Sequence, residues 1–183
     1  VVLDTSGTGT EGTDYGTISD ITISAGDTTG TATFDPTDDT VYEGNETAAV
    51  TITNVVGADA GSTTSQTITI TENDSTPVVT LATSASTIAE NAGSSLTLTA
   101  TLSNATTEDV TVALSTSGTG TEGTDYSTIS DITISAGATT GTVSFTPTDD
   151  SVYEGNETGI VAISGVSGAD AAESGSQSVT ITI

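Results

Sequence analysis

Carboxylates are the only side chains in this sequence that can do ionic chemistry. There are 25 Asp and Glu against no Lys, Arg or His, a formal charge of −25 on 183 residues. The densest group is Asp149-Asp150-Ser151-Val152-Tyr153-Glu154-Gly155-Asn156-Glu157, four acids in nine residues. An earlier stretch carries the same set as Asp38, Asp39, Glu43 and Glu46. Asp14 and Asp125 each precede a Tyr, Glu90 lies in Ile88-Ala89-Glu90-Asn91-Ala92-Gly93, and Asp74 follows the last apolar run of the first half. No side-chain ion pair can form, and like charge at this density opposes compaction. Clustered acids then need hydration, hydrogen bonds or a cation from outside the chain. Hard oxygen donors in number suit Ca²⁺, which takes six to eight of them in flexible geometry. Zinc is disfavoured without His or Cys. The alternative is a set of solvated loop acids; the clustering and the missing cationic partners favour calcium. Neither an EF-hand loop nor a glycine-rich calcium nonapeptide occurs.

The same composition excludes several functions. Nucleic acid is grasped through Lys and Arg, of which there are none. Anionic membranes are excluded for the same reason, and no apolar run is long enough for direct membrane insertion. Without His, Cys or Lys most acid–base and nucleophilic schemes are closed, so no enzyme is expected. A carboxylate pair for glycoside hydrolysis remains formally open, but calcium accounts better for every cluster. The absence of Cys rules out disulfides and thiolate metal sites.

The elements that must position these acids come in two copies. A shift of 111 residues aligns Thr5–Ala60 with Thr116–Ala171, with 44 identities in 56 positions and no gap. The expected division is 1–75, a repeat lacking its first strands, and 76–183, a complete one. Period-two alternation dominates the second copy. Its seven apolar runs are Val78–Leu81, Leu96–Leu102, Val110–Leu114, Ile132–Ile134, Val143–Phe145, Val161–Ile163 and Val179–Ile183. One face of each is apolar and the other mostly Thr and Ser, with Gly, Asn and Asp between the runs. Seven half-buried strands predict an all-β, immunoglobulin-like antiparallel sandwich in each complete repeat. If strands alternate up and down, the loops holding Glu90, Asp125 and Asp149–Glu157 share one pole, together with a linker after the seventh strand. The first copy, without its first two strands, is expected to expose apolar surface until they come from the same or another chain.

Gly123-Thr124-Asp125-Tyr126, an apolar strand reaching Phe145, then Asp-Asp followed by Glu-Gly-Asn-Glu within Asp149–Glu157, resemble the Calx-beta domain. The resemblance spans the second copy and the surviving part of the first. It implies a seven-stranded sandwich binding Ca²⁺ at one pole. Carried over by motif, the ligands are Glu90, Asp125, Asp149, Asp150, Glu154 and Glu157 in the second copy. In the first they are Asp14, Asp38, Asp39, Glu43 and Glu46, with Asp74 from the linker. Tandem arrays of such domains occur in large bacterial surface proteins.

The expectation is therefore a calcium-binding structural or adhesive spacer, an internal segment of a long secreted or cell-surface repeat protein. Its partners would be neighbouring repeats or other copies of itself, with filament assembly by strand donation, and cell-surface or matrix contact through other parts of the protein. The alternative is an adhesin domain that recognises a carbohydrate or protein.

Overall fold

A computed structural model describes residues 1–62 and 64–183. The chain forms two compact units: Val1–Asp39 with Glu43–Asn73, and Asp74–Ile183 with Thr40–Tyr42. Residues 40–42, part of the first repeat in sequence, thus cluster with the second unit. Strands are numbered in chain order: β1 (Val2–Gly7), β2 (Val41–Tyr42), β3 (Glu46–Asn54) and β4 (Ser65–Ile70), then β5 (Val78–Thr83), β6 (Leu96–Leu102), β7 (Ala105–Thr106), β8 (Val110–Gly118) and β9 (Ile132–Ile134), then β10 (Thr140–Phe145), β11 (Thr158–Ser167), β12 (Ala172–Glu173) and β13 (Ser178–Thr182).

The second unit is a two-sheet sandwich. One sheet runs β10-β6-β5-β12 and the other β13-β11-β8-β9. The seven expected strands are all present and their mutual pairs are antiparallel. Two short strands join them, β12 parallel to β5 and β7 parallel to β2. Alternation puts every second residue inside: Val79 and Leu81 of β5, Leu98, Ala100 and Leu102 of β6, and Ile132 and Ile134 of β9 are all buried. Phe145, Val161 and Ile181 close the same core. Each such Val, Leu, Ile or Phe side chain contributes about 1.5–3 kcal/mol by leaving water, which a small sandwich with one Phe and no Trp needs from many Val, Ile and Leu.

The first unit has only the sheet β1-β3-β4, antiparallel throughout. Ile21-Thr22-Ile23 repeats the sequence of β9, and residues 29–34 correspond to β10, yet neither stretch is a strand here. In the second unit β10 pairs with β6, and β6 has no counterpart among residues 1–73. Without that neighbour residues 29–34 form no ladder, and Ile21 keeps only a reciprocal pair of hydrogen bonds with Val1. The result is an open apolar groove of about 250 Å³ lined by Leu3, Ile18, Ile21, Phe34, Ile52 and Ile68, among others. Ile23 is 48% exposed where its twin Ile134 is 0%. The expected apolar surface of the first copy is this groove. Among the described residues no helix is long and apolar enough to cross a membrane.

Candidate metal centre

Each pole contains a loop whose conformation the local sequence imposes. In Thr-Glu-Gly-Thr-Asp-Tyr, Gly12 and Gly123 take positive φ, +88° and +81°, which closes a turn in which Asp14 N and Asp125 N donate to the carbonyls of Thr10 and Thr121, both at 2.9 Å. The Asp carboxylate folds back and accepts from the amide of the same Thr, 2.6 Å in each unit. The Tyr that follows stacks on the Phe at the strand end, Tyr15 on Phe34 at 4.8 Å and Tyr126 on Phe145 at 4.6 Å. That stack pins the loop to the core and leaves the Asp facing the acidic segment. The neighbouring acids Glu11 and Glu122 are used up structurally: each accepts from a Thr hydroxyl at 2.6 Å and from the amide of Ile18 or Ile129.

In the first unit Asp14, Glu43 and Glu46 each offer an oxygen within 4.8 Å of the others. In the second, two such groups occur, Glu90 with Asp150 and Glu154, and Asp125 with Glu154 and Glu157. Glu154 belongs to both. Oxygens held about 2.3–2.6 Å from one ion are at most about 5 Å apart, so the spacing and the all-oxygen donor set fit Ca²⁺. The loops containing Glu90, Asp125 and Asp150–Glu157 therefore do meet at one pole.

The crowding is visible in proton affinity. Glu43 is raised to about 7, by burial first, then by the charges of Asp14, Glu46, Asp39 and Glu72. Glu46 is raised by burial, then by Asp14 and Glu72. Glu154 and Glu157 are raised by lost hydration and then by Asp125, with smaller effects from neighbouring acids. A bound dication would reverse these repulsions.

Four of the expected ligands lie outside the three groups. Asp38 accepts from Asn73 Nδ2 at 2.7 Å, Asp39 acts on Glu43 through its charge, Asp149 is exposed, and Asp74 clusters with the second unit. Sequence reasoning missed Glu72. Its Oε2 accepts from the amides of Glu43 and Gly44, at 2.6 and 2.8 Å, and its own amide donates to Asn45 Oδ1 at 2.9 Å. The signal was its place at the head of Glu72-Asn73-Asp74, directly after β4. In the second unit Ile183 stands at that position and exchanges backbone hydrogen bonds with Glu157. There Glu90 supplies the extra carboxylate, accepting from Asp150 N at 3.2 Å.

The Calx-beta domain matches the chain twice, over residues 2–74 and 72–183. Among solved structures, the crystal structure of CBD12 from CALX1.2 is similar at 14% identity and a TM-score of 0.48, covering 98% of this chain and 84% of that one. No curated protein matches.

Proposed function

The chain belongs to the Calx-beta domain family, a family of non-enzymatic calcium-binding modules, and from that premise we propose that it is a calcium-stiffened spacer of a long secreted or surface-attached repeat protein. The observation that carries the reading is the gathering of carboxylates into three oxygen groups in a chain with no cationic side chain to neutralise them. Asp14, Glu43 and Glu46 would hold an ion in the first unit. Glu90, Asp125, Asp150, Glu154 and Glu157 would hold ions in the second, with Glu154 shared. Calcium supplies the positive charge that lets three loops pack at one pole. The chain's own residues hold those loops in place beforehand, through the Tyr–Phe stacks and the folded-back Asp carboxylates.

The near-identity of the two copies supports a spacer over a ligand-recognising tip; Tyr15, Tyr42 and Tyr126 are buried, and the exposed Tyr153 is a single ring rather than an aromatic platform for a sugar. The open groove of the first unit supports strand donation: it lies where a strand of β6 type, from the same or another chain, would complete the core. Chains joined in this way would form a filament.

The test is calcium titrated into chelator-treated protein, following binding heat and melting temperature together. Ligand saturation to a hundred times Kd stabilises by about 2.7 kcal/mol, so a rise on the order of 10 °C is expected. The rise should shrink sharply when Asp150→Asn and Glu154→Gln are combined. No heat and no shift up to millimolar calcium would sink the ligand assignment.

A further inference from the structure

One short sequence occurs twice and has two fates. Val41-Tyr42-Glu43-Gly44-Asn45-Glu46-Thr47 recurs letter for letter as Val152–Thr158. Val41 and Tyr42 form β2, which lies parallel to β7 within the second unit, Val41 opposite Ala105 and Tyr42 opposite Thr106. The Tyr42 ring is buried, 9% exposed, and its hydroxyl donates to Asp170 Oδ2 at 3.0 Å. The seat has a built shape. Thr106 is fully buried, its hydroxyl turned to Glu108 O at 2.8 Å. Ala169 and Asp170 are held at φ +49° and +52°, a left-handed conformation rare for residues with a Cβ.

The twin residues Val152 and Tyr153 are 60% and 96% exposed, and no strand includes them. A large aromatic fully in water beside a β-branched residue is an unsatisfied apolar pair. Burying it as its twin is buried would contribute on the scale of a core side chain. The pair lies in the loop between β10 and β11, as Val41-Tyr42 precedes β3. Both therefore stand at the same place in the repeat, and only their surroundings differ.

We propose that Val152–Tyr153 is a docking strand, taken up on the β7 edge and Gly168-Ala169-Asp170 turn of a further copy of the 74–183 module. Tyr153 would enter beside the Thr106 equivalent, with its hydroxyl on the Asp170 equivalent. Donor and acceptor are different surfaces of one module, so the contact is heterologous, and repeating it generates an open array rather than a closed pair. The first copy repeats the acceptor turn as Gly57-Ala58-Asp59, all exposed. Two paired residues plus one ring in a seat is a small, directional joint, in which main-chain pairing sets direction and the side-chain pocket sets specificity. The inference rests on the spacer reading for its array, but not on calcium.

Tyrosine nitration tests it on the chain as it stands and on the chain extended, with Thr182 followed directly by a second copy of residues 72–183 so that the Thr71-Glu72 junction is reproduced. In the parent chain Tyr153 should react fast and Tyr15, Tyr42 and Tyr126 slowly. In the extended chain nitration at Tyr153 should fall about tenfold or more, the shift that about 1.4 kcal/mol of docking brings, while the last Tyr-Glu-Gly-Asn-Glu of the added copy reacts fast in its place. Both chains are measured in calcium and in chelator. Tyr153 reacting equally fast in both chains under both conditions overturns the docking strand. A melting-temperature rise with calcium in that same sample would leave the spacer reading standing without it.

Discussion

The two units share most of their residues and differ in what surrounds them. Phe145 is fully buried between the two sheets, against Tyr126; Phe34, its equivalent, is only half-buried at the edge of an open groove. Ile132 and Ile134 form β9 and pair with β8; Ile21 retains a single reciprocal contact, exchanging hydrogen bonds with Val1 at 2.8 and 3.0 Å. The poles are also closed differently, by Glu72 from the tail of the first unit and by Glu90 from the β5–β6 connection of the second. The lesson is that strand identity here is a property of the neighbour as much as of the segment. A β-rich stretch without a partner edge has nowhere to place its amide and carbonyl groups except water.

The largest effect that could break this comparison is in the cores. Phe145→Ala should cost about 3–5 kcal/mol, as large-to-small changes in packed cores do. Phe34→Ala should cost about half that or less, because the groove already leaves the ring partly in water. Urea unfolding in saturating calcium measures both, and equal costs would mean the groove is filled in solution.

A smaller effect separates the poles by pH. Glu43 is raised to about 7 in the folded protein against an ordinary 4.5. Without calcium, its contribution to stability is fully present below pH 4.5 and is lost as pH rises through about 7, because the folded state holds the proton more tightly. Calcium binding has the opposite sign, since the ligand must lose that proton. Affinity in the first unit should therefore fall about tenfold per pH unit below pH 7. Glu43→Gln should abolish this slope along with most of the binding. Calorimetry between pH 5.5 and 8 reads it, and a flat profile would remove Glu43 from the site.

The smallest expected effect belongs to Glu72. Glu72→Gln keeps an acceptor for the amides of Glu43 and Gly44 but removes a charge that repels Glu43 and Glu46. In chelator the variant should be more stable by a few tenths of a kcal/mol, the scale of screened surface charge, and Glu43 should titrate lower. Carbon-detected NMR titration of the Glu side chains follows it. An unchanged Glu43 would show that Glu72 acts through its hydrogen bonds alone.

Much of this was legible in the residues themselves. The alternation in Leu96–Leu102 specified a half-buried strand, because side chains on a pleated backbone must alternate between faces. The order of the loops placed Glu90, Asp125 and Asp149–Glu157 at one end of a sandwich. The lack of any Lys, Arg or His showed that these acids must find their counter-charge outside the chain. Letters identical or nearly so could not show which copy of β10 would become a strand, which Val-Tyr pair would be covered, or that Glu72 would fold over Glu43 while Asp149 stayed in solvent. Those outcomes depend on contacts between residues far apart in the chain, and such contacts exist only once the partner strands, or their absence, are set in space.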